Sequence, residues 1–505
     1  RLDDTHLEPM ALHLDSSLLA LAPAFFQVEP QADETVDAEN CHVLKITALP
    51  AARRWLGNAG DWTLTLWLRD DKFPVRLGCR DATGKMDLLV ALRDVKLGAP
   101  IPETAWSFSA SPNDKVDQVA LRHLQRFAGS ALQMLWGSKS AAIDLKPGTE
   151  LVATSGKGRL EKRDGTRVLF LRGTPEEMGA QHGALLKTQV HDLVSRLLYG
   201  VGVGSSFTKG EWFFGTIERC QGRIQPFVDA RYTREMDALA VASGIEKEEA
   251  RLANFFPELF HCSGFALTGD ATGDGHIYHG RILDYMKGVG LEPNAVVIVM
   301  QPDQGHAWVN ISYAGFTGSV TAMNDQHLSI GEMGGRGEGN WDGKPMAQLV
   351  REVMERAGTL DEAIAIMRDS PRTCEYYYVI ADGKSKQAVG IKATHDIFEV
   401  IHPGEMHPQL PTPVKDAVLM SAGDRYAELA RRAQAGWGHF NAESARALMT
   451  RPVCMSSNIH SVLFAPDTLD FWVANADDKE VASHCRYTHY NLAELIGAHQ
   501  TAANP

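Results

Sequence analysis

The stretch FFPELFHCSGFALTGDATGDGHIYHGRILDY, residues 255–285, predicts a β-hairpin built around a single cysteine. The first expected strand starts at Cys262 and is mostly small and apolar, and the second covers residues 276–284. A glycine-rich turn with an Asp-Gly pair joins the two strands. The hairpin brings Arg281 and Asp284 back beside Cys262. A thiol, a guanidinium and a carboxylate are therefore expected at one end of a sheet.

This grouping suits nucleophilic chemistry. A free thiol has a pKa of about 8.5, and only the thiolate attacks well, so a nearby arginine would favour the reactive form. A carboxylate could orient a protonated amine beside the thiol. The alternative for Cys262, which lies between Phe260 and Phe265, is a small buried apolar residue with no chemical role.

The residues Cys-Ser-Gly-Phe and His-Gly-Arg-Ile-Leu-Asp of this hairpin resemble the N-terminal nucleophile hydrolases of the cysteine type. The resemblance is strongest to the isopenicillin N acyltransferase-like group, peptidase C45, and weaker to acid ceramidase and the bile salt hydrolases. The stretch RGTPEEMGAQHGALL, residues 172–186, is also similar to the opening of that group. The resemblance implies an αββα sandwich over residues 159–505, within the α+β class. The order of strands and helices after residue 160 favours the same layering.

The resemblance also implies a self-cleaving precursor. The cut would fall between His261 and Cys262, and the new α-amino group would be the general base for the thiol. Residues 159–261 would then form a pre-cleavage segment that stays attached, and residues 262–505 the catalytic segment. The expected substrate is a small acyl amide, such as an N-acyl amino acid, a β-lactam side chain or a lipid amide, and the sequence ranks none of these.

Four further polar residues are candidates for the site. Asn324 and Asn458 are the expected amide donors to an oxyanion, although each could equally be a turn residue. Glu332 and His460 are expected to contact substrate. Where many relatives have Thr-Asn-His, this chain has Leu419-Met420-Ser421-Ala422-Gly423-Asp424, so the usual asparagine is missing. Asn458 is the proposed substitute for it.

The first 145 residues differ in character from the rest. Strands are expected at His42–Ala48, Trp62–Leu68, Pro74–Cys79 and Met86–Val95, followed by an amphipathic helix at Asp117–Trp136. The succession of these strands resembles the LolA-like half-barrel of lipoprotein carriers, which implies a lipid- or acyl-binding domain. A small β domain without a ligand is the alternative. Gly156-Lys157-Gly158 is expected to belong to a flexible connection to the second domain.

Composition narrows the function classes. The 505 residues are too many for one ordinary core, and the net charge of −13 argues against a nucleic-acid partner. No apolar run reaches the ~18 residues of a membrane helix, so no transmembrane segment is expected. The seven cysteines contain no Cys-x-x-Cys pair, and no His-Glu-x-x-His motif occurs. Neither a metal nor a cofactor is expected.

The type of reaction stays open at the level of sequence. Hydrolysis and acyl transfer cannot be separated, because both pass through one acyl-thioester. The rival function is a non-catalytic lipid- or lipoprotein-binding protein with a degenerate hydrolase domain. The chain starts at Arg1, which is expected of a sequence trimmed at its N-terminus. A periplasmic or secreted location is expected, with the cytoplasm as the alternative, and the oligomeric state is unknown.

Overall fold

The computed structural model describes the chain in nine segments. They are residues 26–49, 63–80, 86–92, 147–202, 213–255, 262–285, 287–335, 339–477 and 479–502. The chain divides into two units, residues 1–139 and residues 140–505.

The smaller unit contains an antiparallel sheet. Its described strands are β1 Phe26–Pro30, β2 Glu34–Val36, β3 Glu39–Ala48, β4 Thr63–Leu68, β5 Pro74–Arg80 and β6 Met86–Ala91. They pair in the order β1-β3-β4-β5-β6, with β2 on β3. The four strands predicted in this region are confirmed over the residues that the structure describes, which leave out Trp62 and residues 93–95. The helix predicted at Asp117–Trp136 lies outside the described residues, so a half-barrel wrapped around a helix stays a prediction.

The larger unit contains two sheets. Its described strands are β7 Thr149–Ser155, β8 Gly158–Arg163, β9 Thr166–Gly173, β10 Ser263–Leu267, β11 Tyr278–Asp284, β12 Ala295–Pro302, β13 Trp308–Tyr313, β14 Thr321–Asn324, β15 Leu328–Gly334, β16 Glu375–Asp382, β17 Gln387–Thr394, β18 Phe398–Ile401, β19 Ala417–Met420, β20 Asn458–Ala465, β21 Asp470–Asn475 and β22 Thr488–Asn491. Ten form one sheet, in the order β18-β17-β16-β15-β14-β13-β12-β9-β8-β7, and six form the other, in the order β19-β10-β11-β20-β21-β22.

The larger unit also contains helices. The described helices are α1 Pro175–Leu185, α2 Lys187–Val194, α3 Phe213–Ile224, α4 Ala230–Ser243, α5 Lys247–Phe255, α6 Met346–Arg356, α7 Leu360–Asp369, α8 Gly423–Gly436, α9 Ala442–Ala447 and α10 Leu492–Ala502. At the start of α1, Thr174 and Glu177 form a reciprocal capping box and Pro175 occupies the first turn. Thr174 and Glu177 satisfy main-chain N–H groups that the helix start leaves open, and Pro175 has no N–H to satisfy and a φ that suits the first turn.

The two sheets stack face to face, and helices cover their outer faces. Apolar side chains of both sheets form one core, together with residues of α10: Val168, Phe170, Val297, Val299, Val309, Ile311, Val462, Phe464, Phe471, Val473, Leu492 and Leu495. Helices α1 and α6 pack on the ten-stranded sheet, and α8 and α9 on the six-stranded sheet. This mixed architecture agrees with the predicted α+β class.

The segment before Cys262 is built into the ten-stranded sheet. Strand β9 pairs in parallel with β12, from Val168 beside Val297 to Gly173 beside Pro302. Strands β7, β8 and β9 are therefore continuous with strands that follow the cysteine. The Gly156-Lys157-Gly158 stretch is the turn between β7 and β8. The prediction that it is a flexible connection was wrong, because glycine serves a tight hairpin turn as readily as a linker.

Candidate active site

The predicted hairpin is confirmed and sets the positions of the first three candidate residues. Strands β10 and β11 are antiparallel, with Ser263 opposite Ile282 and Gly264 opposite Arg281. Cys262 directly precedes β10 and is only 5% exposed. Continuing this register by one residue places Cys262 beside the end of β11, where Asp284 lies. The prediction that the thiol, the guanidinium and the carboxylate lie at one end of this hairpin is confirmed. Their catalytic roles stay predictions.

Arg281 is fully buried between the sheets, next to Glu332 of β15. Its Nη2 lies 3.8 Å from Glu332 Oε2 and makes no hydrogen bond to any described residue. Its Nε donates a long bond of 3.4 Å to the carbonyl of Val320, and its Nη1 donates to the carbonyl of Ile282. The stem of Arg281 crosses Gly331 so closely that a Cβ there would lie 2.8 Å from Arg281 Cδ. Glycine is therefore needed opposite this arginine.

The electrostatic surroundings keep Cys262 protonated. The pKa of the thiol is raised to about 11, mainly by burial and in smaller part by the charges of Glu332 and Asp284. The charge of Arg281 and the main-chain N–H of Asp284 act in the opposite direction and lower that pKa. Burial outweighs them, so the thiol does not ionise by itself at neutral pH. Its reactivity requires a base that accepts the proton during attack.

Asp284 is held by two donors. Its Oδ2 accepts a hydrogen bond of 2.8 Å from Arg425 Nη1, and its Oδ1 accepts one of 3.0 Å from the main-chain N–H of Met455. Burial raises the pKa of Asp284 to about 6, while the Met455 N–H and the charges of Arg425 and Arg281 oppose that rise. Asp284 is therefore mainly ionised at neutral pH and can change protonation in mildly acidic solution.

Arg425 is a site residue that the sequence did not indicate. It lies in the first turn of α8, and its Nη1 also donates a bond of 3.2 Å to Ser263 Oγ. Ser263 Oγ in turn lies 2.7 Å from Ser421 Oγ. Pairing of β19 with β10 brings this region to the cysteine. The only signal in the sequence was the missing Thr-Asn-His motif, whose place is taken by residues 419–424, directly before Arg425.

A cavity of about 500 Å³ opens at Cys262. It is lined by Cys262, Met333, Gly334, Gly335, Glu375, Tyr377, Ile401, His407, Gln409, Leu410, Met420, Ser421, Ala422, Gly423 and Arg425. Every one of these lining residues lies at or after Cys262 in the chain. The cavity is large enough for a small organic substrate and presents the thiol to it.

Asn324 is used elsewhere in the structure. Its Nδ2 donates to the carbonyls of Met354 and Ala357 at 3.0 and 2.9 Å, and its Oδ1 accepts from the N–H groups of Gln326 and Leu328. The side chain thus ties the β14–β15 turn to the end of α6, and it does not line the cavity at Cys262. Its role as an oxyanion donor stays a prediction without a free N–H to support it.

Asn458 and His460 lie in strand β20, beside the end of β11. Asn458 is paired with Asp284, but its Nδ2 donates to the carbonyls of Leu283 and His460. Burial, together with the charge of Arg281, holds the pKa of His460 well below its ordinary value. The neutral ring contacts Thr321 Oγ1 at 3.0 Å. Both residues are near the candidate site, and neither lines the cavity.

A second cavity lies beside the same strands. It is small, about 60 Å³, and almost entirely apolar. Its wall includes Leu283, Tyr285, Tyr313 and Ile459, together with Leu197, which precedes the cysteine in the chain. It shares no described lining residue with the cavity at Cys262.

Metal ligands, disulfides and membrane helices also bear on the kind of site. The described residues hold no group of three or more His, Cys, Asp or Glu side chains arranged to bind a metal ion. All seven cysteines are described, and none forms a disulfide bond. Among the described helices, none is both long and apolar enough to cross a lipid bilayer.

Comparison with known proteins gives relatives for part of the chain. No family model matches it. The chain is 25% identical over 284 residues to an uncharacterized protein of Archaeoglobus fulgidus, a match that covers 49% of this chain and 46% of that protein. It is 21% identical over 193 residues to the N-acylethanolamine-hydrolyzing acid amidase of Mus musculus, covering 36% and 52%. It is 24% identical over 203 residues to the acid ceramidase of Balaenoptera acutorostrata scammoni, covering 35% and 50%.

The chain thus spans about half the length of these curated relatives. Among solved structures, it is similar to the Caenorhabditis elegans ortholog of the acid amidase, with 17% identity, a TM-score of 0.34 and coverage of 41% of this chain and 93% of that one. It is also similar to a conjugated bile acid hydrolase of Clostridium perfringens, with 11% identity, a TM-score of 0.32 and coverage of 46% and 93%. The relatives named for an activity are amide hydrolases of the N-terminal nucleophile class.

Proposed function

We propose that this protein is a cysteine N-terminal nucleophile hydrolase that cuts its own chain before Cys262 and then cleaves a linear amide bond of an N-acyl substrate. The observation that carries the proposal is the placement of Cys262, Arg281 and Asp284 at one end of a sheet, with the thiol in the wall of a cavity of about 500 Å³. The sequence similarity to amide hydrolases of this class supports it.

In the first stage the Cys262 thiol attacks the carbonyl of His261. The peptide bond shifts from nitrogen to sulfur, which gives a thioester and a free α-amino group on Cys262. Water then hydrolyses the thioester, leaving a carboxylate on His261 and restoring the thiol. The result is two chains, the second of which starts at the nucleophile.

In the second stage the α-amine of Cys262 takes the thiol proton as the thiolate attacks the substrate carbonyl. An α-amine has a pKa of about 7.7, so it can accept a proton at neutral pH. The thiol, with a pKa of about 11, does not ionise at neutral pH without such a base. The proton passes to the leaving amine when the amide C–N bond breaks. Water then releases the acid from the acyl-thioester, or an acceptor amine takes the acyl group.

Asp284 would orient the ammonium form of that amine, and Arg281 would favour the thiolate through its charge. The oxyanion would be stabilised by the side-chain amide of Asn324 or Asn458. Asn324 and Asn458 each use both amide hydrogens on main-chain carbonyls, so either would have to give up a bond to act as a donor. Glu332 and His460 stay proposals as substrate contacts, although both are fully buried and neither lines the cavity at Cys262.

A lipid- or lipoprotein-binding protein without catalysis is the second candidate. The missing Thr-Asn-His motif, together with the fully bonded amides of Asn324 and Asn458, favours it. A LolA-like first domain that binds an acyl chain, membership of peptidase C45 and a periplasmic or secreted location are further proposals.

Intact mass and N-terminal sequencing of the purified protein separate the two candidates. The hydrolase proposal expects two pieces, one of which starts at Cys262, and hydrolysis of at least one member of a panel of N-acyl amides. Cys262→Ala should stay uncut and lose at least about a thousandfold in amidase rate. Cys374→Ala is the matched control, because Cys374 is equally buried, at 5% exposed. This control should cut and hydrolyse normally. A wild-type chain that stays whole on long incubation supports the binding protein instead.

A further inference from the structure

Arg425 is exposed to the cavity at Cys262 with part of its hydrogen-bonding capacity unused. Its side chain is 20% exposed and lines the cavity. Both of its hydrogen bonds, to Asp284 Oδ2 and Ser263 Oγ, are made by Nη1. Its Nε and Nη2 donate to no residue that the structure describes. Because Asp284 is itself fixed by the Met455 N–H, the guanidinium is held in place while its other donors remain available.

The charges of the cavity wall show what these donors can bind. Among the described lining residues, Arg425 is the only lysine or arginine, Glu375 is the only aspartate or glutamate, and the one histidine, His407, is bonded to Glu399. Glu375 accepts a hydrogen bond from the Tyr377 hydroxyl, and Gln409 donates to the same hydroxyl at 3.4 Å. The Glu375 side of the wall is therefore internally bonded, whereas the Arg425 side presents unused N–H donors near the nucleophile.

A guanidinium with adjacent free N–H groups matches the two oxygens of a carboxylate. In an N-acyl amino acid the carboxylate lies on the carbon attached to the amide nitrogen, so it stays close to the bond that the thiol attacks. We propose that Arg425 is a specificity-determining residue that binds the carboxylate of the leaving group, so that the preferred substrates are N-acyl α-amino acids. The chemistry rests on the function proposed above, and the recognition rests on the cavity and on Arg425.

The test compares N-hexanoylglycine with N-hexanoylglycinamide, in which a neutral carboxamide of similar size replaces the carboxylate. The wild-type protein should hydrolyse the acid with a kcat/KM about tenfold or more above that of the amide. Arg425→Gln should bring this ratio to about 1. Arg425→Lys, which keeps the charge but loses the paired N–H groups, should retain part of the preference. A purely structural role for Arg425 would lower both rates and leave the ratio unchanged, and that outcome would overturn the proposal.

Glu375→Gln is the matched control in the same wall. It removes a charge of the opposite sign, so the preference for the acid should be kept or increased. Loss of the preference in this variant would assign recognition to another group and contradict the proposal.

Direct binding separates this inference from the proposed function. Calorimetry on Cys262→Ala should show tighter binding of N-hexanoylglycine than of N-hexanoylglycinamide, and Arg425→Gln in that background should remove the difference. A wild-type protein that hydrolyses neither compound, combined with this binding preference, would end the hydrolase proposal and leave the inference standing. Hydrolysis of both compounds at equal kcat/KM would support the hydrolase proposal and overturn the role of Arg425 in recognition.

Discussion

Two buried arginines of the larger unit differ in how completely their charges are compensated. Arg351 donates from Nε to Glu355 at 2.7 Å, from Nη1 to Glu235 at 2.9 Å and to the Thr317 carbonyl at 2.8 Å, and from Nη2 to Glu235 at 2.6 Å. Arg281 has one long bond, one bond to its neighbour's carbonyl, and an Nη2 that makes no hydrogen bond to a described residue.

The difference separates a structural charge from a functional one. Burying a cation away from water costs free energy, and the ion pairs of Arg351 with Glu235 and Glu355 offset that cost. Arg281 lies 3.8 Å from its one carboxylate partner among the described residues, Glu332, so more of its field reaches neighbouring groups. Burial lowers the pKa of His279 to about 3, and the charge of Arg281 is the second cause. The same charge lowers the pKa of Cys262. A buried arginine with unused donors beside a nucleophile therefore indicates a site.

The largest expected effect is on stability at Arg351. Arg351→Met should lower the free energy of unfolding by about 3–5 kcal/mol, because it leaves Glu235 buried without its ion-pair partner and removes one of the two arginines that pair with Glu355, the other being Arg231. Arg281→Met should lower the free energy of unfolding by clearly less, because Arg281 makes fewer hydrogen bonds than Arg351. Urea unfolding followed by tryptophan fluorescence measures both. Equal losses would show that the two arginines do the same structural work and would break the comparison.

The reverse ranking is expected for thiol reactivity. Arg281 lowers the pKa of Cys262, so Arg281→Met should raise that pKa and slow alkylation by iodoacetamide about tenfold for each pKa unit. Peptide mapping after timed labelling follows the rate at Cys262. Arg351→Met should label at the wild-type rate while it remains folded. A wild-type rate in Arg281→Met would remove the electrostatic role assigned to this arginine.

A pH series sharpens the comparison at Asp284. Its pKa in the folded protein, about 6, is above the ordinary value of 3.8, so its protonated form favours folding. That stabilisation is complete below about pH 4 and is lost as the pH rises through about 6. Arg425 lowers this pKa, so in Arg425→Gln the loss should extend to about one pH unit higher. Unfolding midpoints from pH 4 to 8 measure this loss.

Asp284→Asn is the reference for that series, because its side chain does not titrate. The difference in stability between wild type and Asp284→Asn should change between about pH 4 and 6 and level off above. A flat difference would mean that Asp284 titrates at the same pH in the folded and unfolded chain.

The smallest expected effect concerns Gly331. Gly331→Ala places a Cβ 2.8 Å from Arg281 Cδ and 3.1 Å from His279 Nε2. Displacing the arginine stem should cost about 1–3 kcal/mol of stability and reduce the labelling rate of Cys262. Gly222→Ala is the matched control, because no heavy atom of the described residues lies within 4 Å of its added Cβ. It lies in helix α3 and should be neutral or slightly stabilising. Identical stabilities for the two variants would contradict the close approach of Arg281.

Local signals in the sequence were enough for the hairpin and its three residues. The Asp-Gly turn and the Arg-x-x-Asp spacing lie within one β-hairpin, so their geometry follows from strand alternation. Arg425 follows Asp284 by 141 residues. Its position depends on the pairing of β19 with β10, which no local pattern encodes. Asn324 was a plausible amide donor by sequence. The structure shows that its amide hydrogens are donated to the carbonyls of Met354 and Ala357 at the end of α6.

The parallel ladder between β9 and β12 has a consequence for how such a chain could be made. If the chain is cut before Cys262, the ladder holds together two polypeptides that were synthesised as one. Assembly of the intact precursor is unimolecular, whereas reassembly of separated pieces after denaturation is bimolecular and requires each piece to find its partner. The protein would then fold readily as the intact precursor during biosynthesis. Once cut and denatured, it would refold poorly in dilute solution.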